Sequence, residues 1–116
     1  MQSIYGLINN DLEIIISVLQ MEDKIDEAVI FGSRAQGNFK NGSDVDIALK
    51  GKGIDAGIIS RISFKLNQET LLPYKFDVIN YYTINNDALI GQIDRTGVTI
   101  YSKSSKPEWF PIDEKN

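Results

Sequence analysis

The chain has 116 residues, 42% of them hydrophobic, and sixteen acidic against twelve basic side chains give it a formal net charge of −4. That is room for one domain with a core of its own, and the acidic balance, with no basic stripe, argues against broad nucleic-acid binding. There is no cysteine and no histidine, so disulfides, thiolate nucleophiles, imidazole general bases and most transition-metal sites are excluded, which leaves carboxylates, lysine and tyrosine for chemistry and hard, oxygen-ligated cations for metals.

In chain order, Met1-Gln2-Ser3-Ile4-Tyr5 has neither the charged nor the apolar region of a signal peptide. Asn10 with Glu13 resembles a capping box, and Leu12, Ile15, Ile16 and Leu19 fall at helical spacing behind it. Ala28-Val29-Ile30-Phe31 reads as a buried strand that stops at Gly32-Ser33, and the polar stretch from Arg34 to Ser43 reads as a helical turn and a loop. Asp44-Val45-Asp46-Ile47-Ala48-Leu49 alternates with period two, a strand signal broken by Gly51 and Gly53. A helix over about 55–69 buries Ile58, Ile59, Ile62 and Leu66; Phe76 to Tyr81 forms a third strand; a short helix over about 86–94 carries Leu89, Ile90 and Ile93; Val98 to Tyr101 is the last strand. The order implies an α/β (α+β) fold, a small mixed β-sheet of about four strands with the helices packed on one face. The domain is expected to occupy residues 1–102. A polar tail, 103–116, carries an apolar island at Trp109-Phe110-Pro111 that either folds back or docks on a partner. No apolar run approaches the ~20 residues that span a bilayer, so the expectation is a cytoplasmic protein with no membrane contact.

The chemistry concentrates in two places. Asp44 and Asp46 are two apart on a strand and share one face, while Val45, Ile47 and Leu49 face the core. Two carboxylates that close repel each other unless a cation, Mg²⁺ or Mn²⁺, sits between them. Asp77, flanked by Phe76 and Val78, emerges on the same side if its strand is a neighbour, giving three metal-ligating candidates. Gly32-Ser33 lies where a strand gives way to a helical turn; a glycine admits close approach, and free N–H groups at a helix start bind phosphate oxygens. Arg34 is a candidate for a phosphate contact or for a structural ion pair, and Ser43 for a triphosphate contact or for a turn. A phosphate cradle facing clustered carboxylates is suited to nucleotidyl transfer.

Gly32-Ser33, ten residues of spacer, Asp44-Val45-Asp46 and the later Asp77 resemble the polymerase β-type nucleotidyltransferase superfamily, and within it the minimal nucleotidyltransferases (MNT) that pair with HEPN-domain proteins. The resemblance runs from about Leu12 to Tyr101 and departs from many relatives at Gln36, where they carry arginine. It implies the polymerase β-type core, Mg²⁺ (or Mn²⁺) as cofactor and ATP or another nucleoside triphosphate as substrate. Gly32 and Ser33 would then hold phosphates, Asp44 and Asp46 would ligate metal, and Asp77 would complete the site as ligand or base. Many such proteins are antitoxins that attach AMP to a tyrosine of a HEPN toxin, so the expected function is NMP transfer to a hydroxyl of a protein partner in a toxin–antitoxin system. The alternatives are a non-catalytic antitoxin that neutralises by binding, and an aminoglycoside-type small-molecule nucleotidyltransferase whose acceptor pocket forms in a homo-oligomer.

Overall fold

Strand alternation decides which side of the sheet each residue serves, and the sheet then holds the polar ends of three strands together. The computed structural model describes residues 3–40 and 42–104. A hairpin of β1 (Ser3–Ile4) and β2 (Leu7–Ile8) runs straight into α1 (Asn9–Gln20). β3 (Glu27–Phe31) is followed by the single turn α2 (Ser33–Gln36), and β4 (Val45–Lys50) by α3 (Ala56–Phe64), which continues into a π-helical turn at Lys65–Glu69. β5 (Phe76–Asn80), a 3₁₀ turn at Tyr81–Thr83, α4 (Asp87–Thr96) and β6 (Val98–Ser102) complete the chain's described elements.

The four main strands lie in the order β5-β4-β3-β6. β3 is antiparallel to both β4 and β6, and β4 is parallel to β5. A parallel pair needs a crossover connection, and α3 supplies it, its start capped by Asp55, whose carboxylate accepts from the N–H of Ile58 at 2.9 Å.

On one face of the sheet Ala28, Ile30, Val45, Ile47, Leu49, Phe76 and Val78 pack against Leu12, Ile15 and Leu19 of α1 and Ile58, Ile62 and Leu66 of α3 and its π turn. This is the helical layer expected from the sequence. α4 is different: its Ile93 packs with Val29, Phe31 and Ala48 on the opposite face. The helices therefore do not all share one side. The physical reason is in β3, whose last four residues are all buried. With Ala28 and Ile30 facing α1 and α3, Val29 and Phe31 need a cover of their own, and the stripe Leu89–Ile93 provides it. That cover stops short of the start of β4, where Asp46 is only half-buried.

The hairpin was not foreseen. Its turn residues Tyr5 and Gly6 both have positive φ, 58° and 77°, as a tight two-residue hairpin turn requires. Gly6 is also pressed against the Arg34 guanidinium, where any Cβ would collide. The segment Trp109-Phe110-Pro111 lies outside the described residues.

Ile47 is fully buried in the middle of β4. Ile47→Ala is expected to cost roughly 2–5 kcal/mol, measured as a lower urea midpoint at unchanged slope.

Candidate active site

The end of β3 is shaped by a glycine that nothing else could replace. Gly32 has φ 77° and ψ −151°, a region open essentially to glycine alone. A Cβ there would stand 2.5 Å from Oδ2 of Asp46. The closeness follows from register, since Phe31, the residue before Gly32, pairs directly with Asp46 across the antiparallel β3–β4 ladder. After Gly32 the chain turns into α2, which closes on Gly37 in the left-handed conformation. The first N–H groups of such a turn have no partner within the helical ladder, and Ser33, half-exposed, stands at the first position.

On its other side Asp46 pairs in register with Asp77 across the parallel β4–β5 ladder. The neighbours of Asp77, Phe76 and Val78, are buried in the helical core, so its exposed carboxylate lies on the side of the sheet that Asp46 uses. Asp44 immediately precedes β4 and is exposed. Across the sheet the sequence of groups is thus Gly32, Asp46, Asp77, with Asp44 at the strand's entry.

The electrostatics follow from this crowding. The Asp46 carboxyl is held above the usual carboxylate range, first by partial burial, then by the charges of Asp77 and Asp44, and the Arg34 guanidinium offsets only part of this. Among the described residues no three carboxylates are already gathered at ion-holding distance. What the structure presents is a half-buried carboxylate with two like charges near it and a Cβ-free glycine against it. That donor set, oxygen only, fits a hard divalent cation, with Asp46 central and Asp77 and Asp44 beside it.

Two clamps hold the backbone on which these carboxylates ride. Arg34 is only 3% exposed and sandwiched between the Phe39 and Tyr74 rings, 5.0 and 5.1 Å from their centroids. Its Nε and Nη2 donate to the carbonyl of Ser43, at 3.3 and 2.9 Å, and its Nη1 donates to the carbonyl of Tyr5 at 3.1 Å. These contacts, to backbone carbonyls and rings, pin the residue before Asp44. Ser43 is likewise engaged locally, its hydroxyl accepting from the N–H of Lys40 at 2.9 Å. Below Arg34, the Tyr74 hydroxyl donates to Asp11 at 2.7 Å.

The second clamp was missed in the sequence. Asn67, on the π turn, accepts from the N–H of Phe76 at 2.8 Å and donates to its carbonyl at 3.0 Å. It occupies the outer edge of β5 one residue before Asp77, as a neighbouring strand would. An asparagine inside a helix is unfavourable unless its amide has a partner elsewhere, and beside the apolar stripe Ile58–Ile62–Leu66 that was the available signal.

Comparison with known proteins decides the family. The polymerase beta nucleotidyltransferase model matches residues 13–106. The chain belongs to that family. No curated protein matches the chain in sequence. Among solved structures, this nucleotidyltransferase is similar to a chain of a toxin–antitoxin complex with AMP-PNP, with 23% identity, 83% of this chain and 75% of that one covered, and a TM-score of 0.66. A chain from the complex of tri-AMPylated Shewanella oneidensis HEPN toxin with MNT antitoxin gives 20% identity, 82% and 72% coverage, and a TM-score of 0.62. A candidate nucleotidyltransferase from Sulfolobus solfataricus gives 22%, 85% and 83%, and 0.55. These likenesses establish a common fold.

Because the raised carboxyl of Asp46 favours its protonated form, the folded protein holds a proton there that the unfolded chain has already lost, and stability falls as pH rises through that window. Asp46→Asn is therefore expected to raise the metal-free melting temperature by a few degrees at neutral pH. The gain should shrink as pH is lowered toward the carboxylate range, as followed by thermal unfolding in EDTA.

Proposed function

We propose that this nucleotidyltransferase moves a nucleoside monophosphate, AMP from ATP, onto a hydroxyl of a protein partner, and that the partner is a HEPN-domain toxin which the transfer neutralises. The observation that carries the proposal is the in-register pair Asp46–Asp77 beside Gly32. It supports the reading of a carboxylate site next to a glycine turn whose amides would take phosphate. The toxin–antitoxin setting rests on the fold shared with chains of toxin–antitoxin complexes, one of them of a HEPN toxin with an MNT antitoxin, and on the acidic chain, whose charge disfavours a nucleic-acid acceptor.

In this reading the amides of Gly32 and Ser33 and the Ser33 hydroxyl hold the β- and γ-phosphates, since they begin a helical turn next to Asp46. Asp44, Asp46 and Asp77 are the residues that would hold Mg²⁺ or Mn²⁺, which supplies charge neutralisation on the triphosphate and a lower pKa for the acceptor hydroxyl. Asp77, exposed at the outer side of the pair, would receive the acceptor's proton as the hydroxyl oxygen bonds to the α-phosphorus and the bond to pyrophosphate breaks. Arg34 and Asn67 act as positioning residues, through the backbone before Asp44 and Asp77.

A second reading keeps the fold as a binding antitoxin without chemistry. It is favoured by the absence, among the described residues, of three carboxylates already closed on an ion position. One assay separates the two: the protein, α-labelled ATP and Mg²⁺ are incubated with the proposed HEPN-domain partner, and label on the partner is read by gel and mass spectrometry. Transfer is expected from the wild type. Asp46→Ala should reduce it to background, and Ser33→Ala about ten- to a hundredfold, because one hydrogen bond to a charged group is lost while the backbone amides stay. A partner that is inhibited yet unlabelled would replace transfer with binding.

A further inference from the structure

A groove of about 920 Å³ lies not over the phosphate turn but beyond Asp77, between β5 and the α3–π helix. Asp77 forms part of its wall, together with Ser63, Phe64 and Gln68 from the helix and Leu72 and Pro73 from the connection into β5. Phe64 is 55% exposed there, a large apolar surface facing water. A second groove, about 420 Å³, continues along the same strand and shares Ile59, Ser60 and Val78 with the first.

β5 is the edge of the sheet. The N–H of Val45 bonds to the carbonyl of Lys75 while Val45 is the register partner of Phe76, so the backbone groups of Phe76 point outward. Asn67 covers those of Phe76. By the two-residue period, the next outward pair is that of Val78, on the wall shared by both grooves.

We infer that this trough is the docking site for the acceptor: an extended segment of the partner protein lies along the β5 edge with its apolar side chain on Phe64 and its hydroxyl at Asp77. The inference rests on the transfer reading above and names where the acceptor binds. Three observations select this occupant. In-line displacement brings the acceptor oxygen in opposite the departing pyrophosphate; with the phosphate turn at Gly32 on one side of Asp46, the open side is that of Asp77, where the trough begins. The charged side chains lining the larger groove are Lys75 and Asp77, the others being apolar, hydroxyl or amide, so the groove offers no basic cluster for a nucleic-acid backbone or a second polyphosphate. An apolar shelf beside an edge strand suits an extended peptide, which binds by backbone pairing and alternate side chains.

The test uses the full chain and a pool of soluble peptides, each with one central tyrosine, serine or threonine in randomised flanks, incubated with α-labelled ATP and Mg²⁺. The wild type is expected to label a subset enriched in apolar residues near the acceptor. Phe64→Glu and Gln68→Arg, both at exposed groove positions, should each lower that labelling at least tenfold while leaving the thermal stabilisation by Mg-ATP unchanged. Labelling that both variants retain overturns the trough as acceptor site. Mg-ATP stabilisation of the wild type with no peptide labelled also overturns it, while leaving nucleotide binding in place. Neither stabilisation nor labelling would instead remove the transfer reading on which it stands. Competition of labelling by single-stranded RNA would assign the trough to nucleic acid and equally overturn the proposal.

Discussion

A carboxylate placed where it is half-buried, beside two others of the same charge, is a cost the fold carries in the metal-free protein. Asp46 is in that position. Its carboxyl is pushed up by burial and by Asp77 and Asp44, and Arg34, the cation that relieves it in part, is tied to two backbone carbonyls and two aromatic rings. The arrangement makes physical sense as a place where positive charge arrives from outside, and the missing Cβ of Gly32 is what lets the Asp46 carboxylate lie against the turn.

The rest of the structure can be understood as what keeps those groups together despite their repulsion. The β3–β4 and β4–β5 ladders set Phe31 and Asp77 on either side of Asp46. The buried faces of the same strands lock the register, because a slip of one residue would drive Asp46 into the core and Ile47 out of it. At each open end of the site a side chain grips backbone: Arg34 at Ser43, Asn67 at Phe76. Both grips act one residue before an aspartate. The π turn that carries Asn67 changes the helical phase after Phe64, and π turns are frequent at functional sites.

Much of this was legible in the sequence because it is written in periods. The alternation from Val45 to Leu49, and the apolar flanks of Asp77, predict which face the aspartates use, and the strands and helices of the sheet domain fall within a few residues of their expected places. What escaped depends on three-dimensional neighbours. The face covered by α4 is set by β3 being buried on both sides, which a four-residue apolar run does not specify. The hairpin at Tyr5-Gly6 lacks the usual asparagine–glycine turn, and its positive φ values are held by contacts with Arg34. The structural role of Arg34 and the clamp by Asn67 are long-range contacts, spanning up to the distance from Tyr5 to Arg34, and no local pattern encodes them.

The central claim is that Asp46, with its neighbours, makes nucleotide binding depend on a divalent cation. Calorimetric titration of ATP into the protein tests it most directly, run in excess Mg²⁺ and again in EDTA, with the wild type and Asp46→Ala. The account expects saturable binding only for the wild type in Mg²⁺. Equal binding in EDTA, or undiminished binding by Asp46→Ala, would contradict it.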